Sequence, residues 1–126
     1  MRETFITLAF LIAGLINFLP VVGVLGESRL AKLYGRPFRD ADLLVLMRHR
    51  ALLFGLIGGF MLTSIAVPAW RLPAGVLGLI SMIGYIAIAA QQAHGSASLQ
   101  RIALVDWVGL ALLVPALLLM VFKPAA

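Results

Sequence analysis

The chain of 126 residues contains no cysteine, which excludes disulfides, thiolate nucleophiles, iron–sulfur clusters and cysteine zinc sites. Charge is scarce too: 12% of residues are Asp, Glu, Lys or Arg and 63% are hydrophobic, whereas soluble globular domains average about 25% and about 45–50%. Five residues are acidic and two are histidines. An HExxH zinc pair, a calcium-type acidic loop and a GxxxxGK phosphate loop are all missing. None of Ser28, Ser64, Ser81, Ser96 and Ser98 has base and acid partners at hydrolase spacing, so covalent catalysis has no support. What the sequence does have is an excess of positive charge, ten Lys and Arg against five Asp and Glu. It sits between apolar runs, where topology and lipid headgroups account for it better than nucleic acid.

At about 20 apolar residues per membrane crossing, the pattern predicts an all-α integral membrane four-helix bundle forming one domain over residues 1–126. The spans are expected at about 5–25, 43–67, 74–90 and 102–122, with Pro68 and Pro124 stopping the second and fourth. Val24 and Gly26 imitate a signal-peptide cleavage site, but the first apolar run is longer than an h-region and its basic flank is Arg2 followed by Glu3. A retained helix is expected.

The connection from Gly26 to Asp42 carries Glu27, Arg29, Lys32, Arg36, Arg39, Asp40 and Asp42. Within it, Leu30, Leu33 and Tyr34 fall on one helical face while Arg29 and Lys32 point elsewhere, which predicts a short interfacial helix between the first two spans. Gly35 and Pro37 end it, and Asp40 or Asp42 is placed to cap the next helix. The basic 29–39 segment is suited to anionic lipid. Arg29, Lys32, Arg36, Arg39, Arg48, Arg50 and Arg101 share one side of a four-span chain, and Arg2, Arg71 and Lys123 the other. Seven against three puts the first side in the cytoplasm, with both termini outside, in a bacterial inner membrane.

Polar residues within the spans cluster toward that basic side. The second span carries Arg48-His49-Arg50, about 8–10 Å into its apolar run at 1.5 Å per residue. The fourth carries Asp106, the first carries Asn17, and the third ends in Gln91, Gln92 and His94. A charge in hydrocarbon costs at least about 2.5–3.5 kcal/mol, so such groups pair or line a wet cavity. An ion pair from Arg48 or Arg50 to Asp106 is the economical expectation. The two arginines lie about 200° apart on a helical wheel, so only one can face Asp106. The candidate site is therefore Asn17, Arg48, His49, Arg50, Gln91 and Asp106, read either as a pocket or as a structural ion pair. His49 with Asp106 could also serve as base and acid. Haem between His49 and His94 is disfavoured, because His94 sits beside Gly95 where the third span ends.

Gly55 and Gly59 form a GxxxG, with Ala51 a turn earlier and Gly58 alongside, and Gly75, Gly78 and Ser81 give the third span a narrow face. Close packing within the chain is expected there, with a homodimer seam as the alternative. Pro20 and Pro115 remove donors from the carbonyls of Ile16 and Ala111 and are candidate kinks. Trp70 and Trp107 are expected at opposite interfaces.

The run Leu19-Pro20-Val21-Val22-Gly23-Val24-Leu25-Gly26, then Arg29-Leu30, Leu33-Tyr34-Gly35, and Asp40 and Asp42 before Leu46-Met47-Arg48-His49-Arg50-Ala51, resembles the small four-span bacterial proteins grouped with DoxX-like membrane proteins. Some of these carry a phosphopantetheine adenylyltransferase name, but this chain lacks the nucleotide-binding motif that such an activity requires. The resemblance implies a quinone or another lipophilic ligand. The expected function is binding of a quinone, isoprenoid or lipid headgroup in a one-sided intramembrane pocket. The alternatives are a non-catalytic accessory or assembly subunit of a larger membrane complex, or an oligomeric small-solute transporter.

Overall fold

Backbone polar groups in hydrocarbon must be satisfied within their own segment, and each span of this chain meets that demand as a helix. The computed structural model describes residues 1–91 and 97–122. Helix α1 (Arg2–Phe18) tightens into a 3₁₀ segment, Leu19–Leu25. Pro20 has no N–H to continue the α ladder, and the change of winding falls beside it. A short helix α2 (Glu27–Tyr34) precedes α3 (Ala41–Ala66). A 3₁₀ turn, Pro68–Trp70, leads into α4 (Arg71–Ala90), and α5 (Ala97–Val121) completes the bundle. Four of these units are long and apolar enough to cross a membrane: Arg2–Leu25, Ala41–Ala66, Pro68–Ala90 and Ala97–Val121. Among the described residues the chain is an all-α, membrane-type four-helix bundle with one short extra helix.

All four spanning helices start earlier than the hydropathy pattern puts them, α1 at Arg2 rather than near Phe5 and α3 at Ala41 rather than near Leu43. Helix α4 starts at Arg71 rather than near Ala74, because Pro73 sits in the first turn, where a missing N–H costs no hydrogen bond. Helix α5 starts at Ala97 rather than near Ile102, since Ser98, Gln100 and Arg101 form its polar first turn.

Helix α1 packs against both α3 and α5, and α4 packs against the same two helices from the other side. Helices α3 and α5 thus occupy opposite corners, without close approach of their backbones. Apolar packing is concentrated in the half of the bundle away from α2, where Ile6, Phe10, Met61, Met82, Leu113 and Ala116 are buried together. The small residues set the spacing of the helices. A Cβ on Gly58 would collide with the backbone of Phe18 and Gly14, and one on Gly55 with Val21. Gly59 faces only the Phe18 ring at 3.8 Å. The seam between α1 and α3 therefore runs through Ala51, Gly55 and Gly58, and the second glycine of the GxxxG lies beside it. Close packing within the chain explains these residues, as it does Gly75 and Gly78, which meet Leu117, Phe10 and Met61.

Arg71 closes the far end of the bundle. Its Nε and Nη2 donate to the carbonyls of Ser64 and Ile65 at 3.3 and 3.0 Å, and Nη1 pairs with Glu3 Oε2 at 2.9 Å. A cation on the free carbonyls of a helix C-terminus also suits the helix dipole. Arg2 donates to the carbonyl of Leu119, so the start of α1, the start of α4 and the end of α5 share this end.

At the opposite end α2 lies over α3 and α5. Leu30, Tyr34 and Phe38 are buried in a second apolar cluster with Leu33, Leu43, Leu44, Met47 and Ile102, while Arg29 and Lys32 are exposed. Glu27 Oε1 accepts the Phe38 N–H at 3.0 Å and ties the two ends of this connection together. Asp40 caps α3 by accepting the Asp42 N–H at 2.9 Å. Gly35 ends α2 at φ 68°, and a Cβ there would meet Ser98 Oγ on α5. A side chain in this left-handed conformation costs about 1–2 kcal/mol. Gly35→Ala is accordingly expected to lower the melting temperature in detergent by several degrees, whereas Gly84→Ala, which has open space around it, should leave it unchanged or raise it. Equal melting temperatures for the two variants would contradict this account of the turn.

Candidate functional site

The Arg48-His49-Arg50 triplet divides according to helical geometry. Arg48 is exposed and its Nε donates to the Val24 carbonyl at 2.9 Å, tying the end of the 3₁₀ segment to α3. His49 is exposed on the outer face of α3 with no contact to Asp106, so its imidazole is not placed to act as base or acid with that carboxylate. Arg50 points inward. Its Nε donates to Tyr34 Oη at 3.3 Å, and its guanidinium lies over the rings of Phe54 at 4.6 Å and Tyr85 at 5.2 Å. Such cation–π contacts offset part of the cost of burying the charge.

Asp106 lies nine residues into α5, as Arg50 lies nine residues into α3, so each sits about 14 Å along its helix. The two charges are level with each other but do not pair. Among the described residues the ion pair within 4.0 Å is Arg71 with Glu3, and the expected bridge from Arg48 or Arg50 to Asp106 is not formed. The reason lies in the packing order: α3 and α5 stand at opposite corners of the bundle, with Asn17 of α1 and the 3₁₀ segment between them on one side. Asp106 is only 8% exposed. Its carboxylate has no hydrogen-bond or ion-pair partner among the described residues.

A cavity of about 450 Å³ accounts for the separation. Asn17 and Ile16 of α1, Leu19, Pro20 and Val22 of the 3₁₀ segment, and Leu33 and Tyr34 of α2 line one part of it. Arg50 and Phe54 of α3 and Arg101, Ile102, Val105 and Asp106 of α5 line the rest. The 3₁₀ segment after Phe18 and α2 border this space, at the end away from the main apolar core. A second cleft, of about 510 Å³, runs between α3 and α4 on the other side of Arg50 and Phe54, past Ser81 and Tyr85.

Asn17 forms part of the wall between the two spaces. Its Nδ2 donates to the Ala13 carbonyl at 2.9 Å and lies 3.9 Å from Met61 Sδ, while its Oδ1 accepts from Ser81 Oγ at 3.1 Å. With both ends of its amide engaged, it serves as a buried knot joining α1, α3 and α4. Gln91 is exposed at the end of α4 and does not reach the cavity. Gln92 and His94 lie outside the described residues, as does Lys123. The structure thus brings together Asn17, Arg50 and Asp106 of the candidate set and leaves Arg48, His49 and Gln91 outside the cavity.

Tyr34, Phe54 and Arg101 line the cavity, and Tyr85 flanks Arg50 from the second cleft, although sequence reasoning did not assign them to the site. Phe54 follows Arg50 by four residues and Tyr85 follows Ser81 by four, spacings that put each pair on one helix face. That signal was available in the sequence. Tyr34 is different, because only the folding of α2 back over α3 brings its hydroxyl to Arg50.

Compared with protein-family models, with curated proteins and with solved structures, the chain matches none.

Proposed function

We propose that this protein is a multi-pass membrane binding protein whose ligand is a lipophilic molecule with a polar head, held in the cavity between the 3₁₀ segment, α2, α3 and α5. The observation that carries this reading is Asp106, a residue nine-tenths buried whose carboxylate has no hydrogen-bond or ion-pair partner among the described residues, lining a largely apolar cavity that a guanidinium also lines. An unpaired carboxylate at such depth is costly unless something in the cavity offers it a donor. The volume lies within the range of about 300–1,000 Å³ in which small ligands are bound. Quinones, isoprenoid compounds and lipid headgroups share the required form, a polar head on an apolar body. The resemblance of Leu19–Gly26 and Arg48-His49-Arg50 to DoxX-like proteins agrees with a lipophilic ligand.

A bacterial inner membrane, with the cavity toward the cytoplasm, is part of this proposal. Arg48 and Arg50 are engaged in local contacts, but without them Arg29, Lys32, Arg36, Arg39 and Arg101 still outnumber Arg2, Arg71 and Lys123, which supports that orientation. The exposed basic face of α2 is suited to anionic lipid at that surface.

Mass spectrometry of what co-purifies with the protein in mild detergent provides the test. The wild type is expected to carry a stoichiometric lipophile, and Asp106→Asn, which preserves shape, is expected to lose it while keeping its melting temperature. A wild type free of any bound lipophile would overturn the pocket. Asp106→Asn that melts far lower, with its lipophile still present, would assign the carboxylate a structural role instead.

A further inference from the structure

The cavity carries opposite charges on opposite walls, and we infer that its ligand, if the pocket reading above holds, is a phospholipid whose head combines a primary ammonium with a phosphate. The ammonium faces Asp106 and the phosphate faces Arg50, with Arg101 toward the exposed mouth.

Asp106 and Arg50 line the same space at the same depth, and no N···O distance between them falls within 4.0 Å. Direct pairing would satisfy both, and the corner-to-corner placement of α3 and α5 prevents it. A neutral apolar occupant would leave both charges facing hydrocarbon. A head with one charge of each sign satisfies both at once.

Donor inventory then assigns each end. A guanidinium has five N–H donors, and Arg50 engages one of them, Nε, with Tyr34 Oη. Its two terminal nitrogens make no hydrogen bond among the described residues, and this planar fork matches two phosphate oxygens. Arg101 adds a second cation lining the same cavity. An ionised carboxylate only accepts, so Asp106 calls for N–H groups. A primary ammonium supplies three, and a trimethylated ammonium supplies none. Ile16, Leu19, Val22, Ile102 and Val105 then receive the glycerol and the first carbons of the chains.

The experiment uses the full-length protein, stripped of lipid by detergent exchange and returned to mixed micelles. These contain phosphatidylethanolamine, phosphatidylcholine, phosphatidylglycerol or diacylglycerol, and binding is read by native mass spectrometry and by melting temperature. Phosphatidylethanolamine is expected to be retained about tenfold over each of the others, the ratio that about 1.4 kcal/mol of extra interaction produces. Asp106→Asn should remove that preference over phosphatidylcholine, and Arg50→Gln should weaken every phospholipid while leaving diacylglycerol unaffected. Soluble phosphoethanolamine should not displace the lipid; displacement at equal concentration would identify a free headgroup metabolite as the occupant and overturn the lipid assignment. Equal retention of phosphatidylethanolamine and phosphatidylcholine, or a preference unchanged in Asp106→Asn, overturns the ammonium assignment. If no phospholipid is preferred but Asp106→Asn loses a co-purified lipophile of another class, this inference falls and the pocket stands. If neither variant changes the retention of any molecule, both fall.

Discussion

Gly58→Val is expected to prevent assembly of the bundle, giving a protein that aggregates on extraction or melts far below the wild type. The Cβ position of Gly58 is occupied by backbone: the Phe18 N–H and Cα and the Gly14 carbonyl, the latter two at 2.6 and 2.7 Å. A flexible side chain can move aside, but a helix backbone can yield only by separating α1 from α3. Overpacking costs typically about 1–3 kcal/mol when side chains can adjust, and here the whole helix pair has to part. It would pull the 3₁₀ segment away from α3 and open the wall of the cavity. Gly59→Ala is the matching control, since it faces only the Phe18 ring at 3.8 Å and replaces glycine in a helix interior by a better helix former. It should be neutral or slightly stabilising. Circular dichroism melting in detergent distinguishes the two, and similar melting temperatures would mean that the close seam does not run through Gly58.

The second large effect concerns function rather than stability. Arg50→Met keeps an unbranched apolar stem at the position but removes the guanidinium that lies over Phe54 and Tyr85. Ligand retention is expected to fall by about tenfold or more, since a charge-assisted hydrogen bond to a headgroup is lost. Stability should change little, because withdrawing a charge from hydrocarbon recovers about 2.5–3.5 kcal/mol on insertion scales, against the loss of one hydrogen bond and two cation–π contacts. Arg71→Met makes the opposite case. Arg71 holds the carbonyls of Ser64 and Ile65 and the carboxylate of Glu3, so its removal should lower the melting temperature and leave ligand retention intact. Two arginines with exchanged behaviours would refute the division of the bundle into a packed end and a binding end.

Much of this division is legible along the chain. The apolar runs, the caps at Asp40 and Gly35, the amphipathic α2 and the concentration of intramembrane polarity toward one end all follow from periodicity and residue chemistry. The 200° between Arg48 and Arg50 already requires the two side chains to part. It does not say which of them turns inward. Arg50 takes that role because Tyr34, Phe54 and Tyr85 surround its position, whereas Arg48 finds the free carbonyl of Val24. Asn17 looked like a ligand-binding amide and proves to be engaged at both ends, because Ser81 on α4 arrives opposite its carbonyl oxygen. Likewise, small residues announced a close seam on α3, but Gly58 and Gly59 are equivalent until α1 is laid against one of them.

The absence of cysteine excludes disulfide and thiolate chemistry, and the scarcity of charge determines the solvent and the secondary structure: a chain this apolar has to satisfy its backbone internally, and four helical spans follow from its length. What the tertiary structure decides is the partnership of the few charges that remain. Ion pairing depends on which helices are neighbours, and no local signal in the sequence reports that α3 and α5 stand at opposite corners. Arg50 and Asp106, at equal depth and complementary in charge, are held apart by that arrangement. A pair that would have stapled the bundle instead lines a cavity.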